Sequence, residues 1–209
     1  MDVTQIQGVI RTPIGAPVTS PQLNERSEWI VAQGLPAYAE IARRGGGWSI
    51  MSTAAIAGLV VRPDTVAAVE IFNGYGAGGK SLVIDRLFWH NLVSTAVIEA
   101  FSGWAQVTAA KSACAATLTA IRGNSGKAYS GPVRVAVGTT VVDCGWFPWG
   151  QGFTKANAGV LPTGSIEAKV EGRLIVPPQS SLCLHVVCSI VTSTFTQGAS
   201  WYEEQLSLE

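Results

Sequence analysis

Residues 74–81 read GYGAGGKS, and the chemistry that spacing suggests is phosphate binding. Gly74, four residues, then Gly79, Lys80 and Ser81 match the pattern G-x-x-x-x-G-K-[ST]. Such a loop cradles phosphates with backbone N–H groups at the start of a helix, while the lysine neutralises their charge. It needs a strand before it and a helix directly after it. VAAVEIFN supplies the strand, but SLVIDRLFW is rich in Val, Ile, Phe and Trp, which also favour a strand. A nucleotide-hydrolysing fold also needs crossover connections of roughly ten or more residues, usually helices. No stretch built from good helix formers follows residue 101, and the one candidate for a metal-binding carboxylate, Asp143, ends a Thr/Gly-rich segment. Gly74–Gly79 therefore reads as a β-hairpin loop, with Lys80 and Ser81 opening the next strand, and no cofactor is expected.

Other reactive groups are sparse. The chain has two histidines, His90 and His185, and four cysteines, Cys114, Cys144, Cys183 and Cys188. No cysteine pair has C-x-x-C spacing, and a zinc site would have to recruit both histidines and distant thiols, so no metal is expected. Cys183 and Cys188 are an odd number of residues apart in an apparent strand, which places them on opposite faces and leaves them as free thiols. Asp85 and His90 have the same odd separation. His185 lies in a wholly apolar stretch, where a hydrogen-bonded core histidine is the expectation. There is no G-x-S-x-G nucleophile elbow, and no spacing singles out a carboxylate pair. The chain reads as non-enzymatic, with no catalytic residues.

The most unusual segment is CGWFPWGQGF, residues 144–153, where Trp146, Phe147, Trp149 and Phe153 crowd together with glycines and a proline. This composition predicts a loop. Its rings have three uses open to them: folding back as a small satellite core, filling a subunit interface, or stacking on sugar rings together with Trp104.

The elements that must position these residues are β-strands. IEAKVEGRL (166–174) alternates apolar and charged residues strictly, and VRVAV (133–137) alternates in the same way, each with one dry face. LCLHVVCSIV (182–191) is apolar on both faces and predicts a central strand. Further strands are expected at 48–54, 65–73, 81–89, 92–101, 103–110, 113–122 and 198–206. Turn-forming clusters such as RPD, RGNSGK, LPTG and VPPQS separate them. Many short strands without regular helices indicate a sandwich or barrel; an all-β, jelly-roll-like antiparallel β-sandwich over residues 48–209 is the expected fold. Residues 1–47 differ. They read as an extended arm with two short helices, the second placing Tyr38 and Ile41 on one face and ending at Gly45 after Arg43 and Arg44. That face is a candidate interface.

Charged residues make up 13% of the chain, against about 25% in typical soluble proteins. So few charges favour burying surface against further copies of the chain. Net charge is zero and no basic stripe occurs, which argues against nucleic-acid binding. MDVTQIQGVI does not resemble a signal peptide, and Asp85, Arg86 and Glu99 interrupt the most apolar stretch, so neither export nor membrane insertion is expected.

Taken in order, AYAEIARRGGGWSI, VAAVEIFNGYGAGGKSLVIDRLFW, GRLIVPPQSSLCLHVV and ASWYEEQ resemble β-sandwich virion proteins of tailed bacteriophages, of the head-decoration, cement or head-fibre type. The resemblance covers residues 37–206 and implies a homotrimer docked on the major capsid protein or another virion component, assembled in the host cytoplasm. The arm would make the particle or intersubunit contact. A carbohydrate- or receptor-binding module using residues 144–153 is the alternative expectation, with glycans as partners.

Overall fold

The computed structural model describes residues 41–42, 45–94, 98–108, 114–155 and 164–206. All belong to the unit Ala37–Glu209. Most of the expected arm, Tyr38 included, lies outside the described residues. What is described of its end is the cap of a helical turn at Ile41–Ala42. The Gly45 N–H bonds to the Ala42 carbonyl and the Gly46 N–H to the Ile41 carbonyl, each at 2.9 Å, with Gly45 at φ 76°. This is the paired closure of a glycine-terminated helix, at the glycine the sequence suggests.

Twelve strands follow among the described residues: β1 (Gly47–Met51), β2 (Ile56–Ala57), β3 (Val66–Phe72), β4 (Ser81–Val93), β5 (Ile98–Thr108), β6 (Ile121–Arg122), β7 (Arg134–Thr140), β8 (Phe147–Lys155), β9 (Ser165–Lys169), β10 (Ile175–Val176), β11 (Ser181–Cys188) and β12 (Thr194–Glu204). All their pairings are antiparallel. One sheet runs β10-β4-β12-β1-β6, with β9 also on β4 and β2 on β12; the other runs β7-β3-β11-β5-β8. β9 and β10 pair with successive parts of β4 and act as one interrupted strand. Setting aside β2, β6 and β7 leaves eight principal strands, whose chain order across the sheets is 1-8-3-6 and 2-7-4-5. That is the jelly roll, two Greek keys folded face to face.

The core between the sheets holds Trp89, Trp201, Phe195, Ile71, Leu82 and Leu184, all fully buried. Each of the large aromatics removes about 150–250 Å² from water, worth on the order of 4–6 kcal/mol in transfer free energy. β11 is the central strand of its sheet and is buried on both faces, as its apolar pattern predicts.

Four expectations change. The alternation of 166–174 does not continue as one strand. Glu171 (φ 53°) and Gly172 (φ 79°) form a turn closed by the Arg173 N–H on the Val170 carbonyl, ending β9 at Lys169. The three segments expected at 81–89, 92–101 and 103–110 form two long strands: β4 runs on from 81 to Val93, and β5 joins 98–101 to 103–108. Residues 114–120, expected as part of a strand, form none beyond an isolated bridge at Leu118. The aromatic segment is not a loop either: from Phe147 onward it is strand β8, paired with β5. Pro148 is tolerated there because β8 is an edge strand, so its missing N–H costs no ladder bond.

Candidate interaction surface

The aromatic segment divides where it becomes a strand. β7 and β8 lie on opposite edges of their sheet, so residues 141–146 must cross its outer face to connect them. Gln106, on β5, pins this crossing. Its Nε2 donates to the Val142 carbonyl (2.9 Å) and its Oε1 accepts from the Cys144 N–H (2.8 Å). Trp146 is 4% exposed, packs with Ala67, Val141, Cys183 and the half-buried Trp104, and donates from Nε1 to the Asp64 carbonyl at 2.8 Å. It is the satellite core, one of the three uses considered for these rings.

Beyond it the rings face outward. Phe147 is 66% exposed and Phe153 73%. They stand opposite Ala105 and Ala100 of β5, five residues apart, which puts them on opposite faces of the sheet. Phe147 meets Trp149 edge to face, with centroids 6.5 Å apart. Trp149 is half-buried, and the Arg173 guanidinium lies 5.5 Å over its ring, held there by bonds to the Val170 and Lys169 carbonyls. The structure thus brings Phe147 and Trp149 together, and keeps Trp146 and Phe153 apart from them. Sequence reasoning missed Arg173, whose signal was a lone cation just after the turn at Glu171 and Gly172. Ile41 is half-buried beside Trp48 and Tyr202, in a small recess of about 200 Å³.

The glycine-rich loop is not a hairpin. β3 and β4 belong to different sheets, so residues 73–80 carry the chain across the sandwich. Asn73 is buried and anchors this crossing. Its Nδ2 donates to the carbonyls of Lys80 and Val176, both at 2.9 Å, and its Oδ1 accepts from the Tyr75 N–H. Gly78 (φ 74°) supplies the left-handed corner of a turn closed by Gly79 N–H on the Gly76 carbonyl. A Cβ at Gly74 would come within 2.2 Å of the Pro132 carbonyl oxygen. Lys80 is exposed, and Ser81 begins strand β4, so no helix N-terminus follows the loop. Tyr75 donates to Glu203 at 2.8 Å, and Gln179 and Gln205 hold the Tyr75 and Gly78 carbonyls.

The reactive side chains are dispersed. His90 is exposed on β4, whereas His185 is buried on β11 in the other sheet. Its Nδ1 accepts the Val186 N–H at 2.8 Å, and burial holds its pKa below the usual histidine value. None of the four cysteines is in a disulfide; Cys183 lies on the outer face of its sheet and Cys188 faces the core, opposite sides as the spacing requires. Among the described residues no three His, Cys, Asp or Glu groups gather as metal ligands do. A groove of about 670 Å³ on the other sheet is lined, among the described residues, by Ile50, Met51, Phe88, Leu118 and Ile121 with serine and threonine hydroxyls and by no titratable group. Comparison with protein-family models, curated sequences and solved structures finds no match to this chain.

Proposed function

We propose that this protein is a non-enzymatic structural subunit of a virus particle, a homo-oligomer of the decoration, cement or fibre kind. The supporting observation is the edge strand β8. It presents Phe147 and Phe153 to solvent from a rigid scaffold, in a chain whose histidines and cysteines are dispersed. Large exposed rings are costly in water and are the side chains most enriched in protein interfaces. A jelly roll hosts capsid and lectin functions alike, so the fold alone does not choose between them. The choice rests on the surface. A glycan platform needs open, flat rings, and here Trp146 is enclosed while Arg173 occupies one face of Trp149.

On this reading the resemblance to phage virion proteins implies three copies, with β8 and the amino-terminal arm facing the particle. Light scattering on the purified chain at micromolar concentration tests it: a trimer mass is expected, and a clean monomer would sink the proposal. For the glycan alternative, retention on an immobilised oligosaccharide that is lost in Phe147→Ala would favour it instead.

A further inference from the structure

The end of the sandwich opposite the glycine-rich loop carries an apolar surface that no periodicity in the sequence announces. β3 starts there at Val66, β4 ends at Val93, β5 starts at Ile98, and the turns at 58–65, 141–143 and 189–193 meet around them. Val60, Val61, Val66, Val93, Ile98, Val142 and Val191 are all 47–66% exposed, and they make up most of the exposed large hydrophobic residues of the described chain.

These turns are tied together from below. Glu99 is buried and accepts hydrogen bonds from Ser94 Oγ (2.6 Å), the Ile190 N–H (3.2 Å) and Ser193 Oγ. The Gly58 N–H bonds to the Ser193 carbonyl at 3.0 Å, and Arg62 and Asp143 form a two-pronged ion pair at 2.7 and 3.0 Å. The surface is therefore preorganised, which lowers the ordering cost of docking. Its surface charges among the described residues are the exposed Arg62, Lys155 and Asp64 and the half-buried Asp143, two of each sign.

We infer that this valine-rich end is where copies of the chain pack against one another, so that their ends meet at the symmetry axis of the oligomer. Two arguments choose a second copy as the occupant. Seven β-branched side chains this exposed present on the order of 600 Å² of apolar surface. That equals the largest patch of a typical monomer and approaches the ~800 Å² per partner of a stable interface. A surface that is electrically balanced, with one charged pair neutralised internally, also meets its own image without like-charge repulsion. The inference rests on the reading that the protein is a homo-oligomer, and assigns its self-contact to this end rather than to β8.

The test measures oligomer mass by sedimentation across a dilution series for wild type, Val61→Asp, Val191→Lys and Phe147→Ser. Positions 61 and 191 lie on different turns and are exposed, so both variants are expected to keep the wild-type melting temperature. Dissociation of the oligomer at concentrations at least tenfold higher in each valine variant, with Phe147→Ser unchanged, supports the inference. Folded valine variants that assemble like wild type overturn it and leave the homo-oligomer reading standing. A wild-type chain that remains monomeric overturns both, and assigns the end to a partner of another kind.

Discussion

The two ends of the sandwich are built alike inside and differently outside. Each is closed by one buried polar side chain that gathers several backbone segments: Asn73 at the glycine-rich end, Glu99 at the valine-rich end. Around Asn73 the surface is polar, with Tyr75, Gln179, Glu203 and Gln205 linked by hydrogen bonds. Around Glu99 it is a field of valines. The difference separates two tasks that a buried anchor can serve. At the first end the anchor lets the chain change sheets. At the second it ties the turn at 189–193 and the end of β4 to the start of β5.

The largest effect is expected from breaking the anchors themselves. Glu99→Ala leaves two hydroxyls and one amide without their acceptor in a buried site and should cost about 3–5 kcal/mol. Asn73→Ala removes bonds to two carbonyls and one amide, all neutral partners, and should cost about 2 kcal/mol. Urea unfolding of both variants checks the order. An Asn73 variant less stable than the Glu99 variant would reverse the ranking of the two ends.

The second test is alkaline. Burial raises the Cys188 thiol to about 11, aided by the neighbouring Glu99 carboxylate, and Cys188 sits at the valine-rich end. At the other end burial and the Glu203 carboxylate raise the Tyr75 and Tyr129 hydroxyls. A group with a raised folded pKa gives stability that is complete below its unfolded value and is lost as the pH climbs past it. The urea midpoint should therefore begin to fall near pH 9 through Cys188, and fall further above about 10 through the tyrosines. Cys188→Ala should remove the first decline, and Tyr129→Phe should reduce the second. A single decline untouched by either change would show that the ends do not titrate separately.

Much of the scaffold was legible because period-two patterning reports burial directly. LCLHVV is apolar on both faces because residues 141–146 cover its sheet from outside. Strand β8 was illegible for the opposite reason. Pro148, Gly150 and Gly152 are poor strand formers; the sheet edge makes Pro148 acceptable, and Ile166 and Phe101 approach too closely to leave room for a Cβ at the two glycines. The loop at 73–80 was misread as a hairpin because spacing cannot tell a strand that pairs with its predecessor from one that joins the opposite sheet. The valine-rich end was hidden for a related reason. Each of its residues is an ordinary valine beside a turn, and only the fold brings the turns together. Of the candidate residues, the sequence could name the aromatics but not sort them, since Trp146 and Phe147 are neighbours in the chain and differ completely in burial.

The smallest effect is expected where the sequence first drew attention. At the glycine-rich end, Asn73 holds the main-chain carbonyl of Lys80, and the lysine side chain is exposed beyond it. Lys80→Ala keeps that carbonyl and should change stability by no more than about 0.5 kcal/mol, the range of an ordinary surface substitution. Gly79 turns back onto Gly76, and the chain then enters β4, so the N–H groups after Lys80 belong to a strand ladder and not to a helix terminus. Millimolar ATP with magnesium should give no calorimetric heat with either protein. Binding in wild type that disappears in Lys80→Ala would show that this end recognises phosphate after all. The contrast would then lie between a ligand site and a docking face, rather than between a crossing of the sandwich and a docking face.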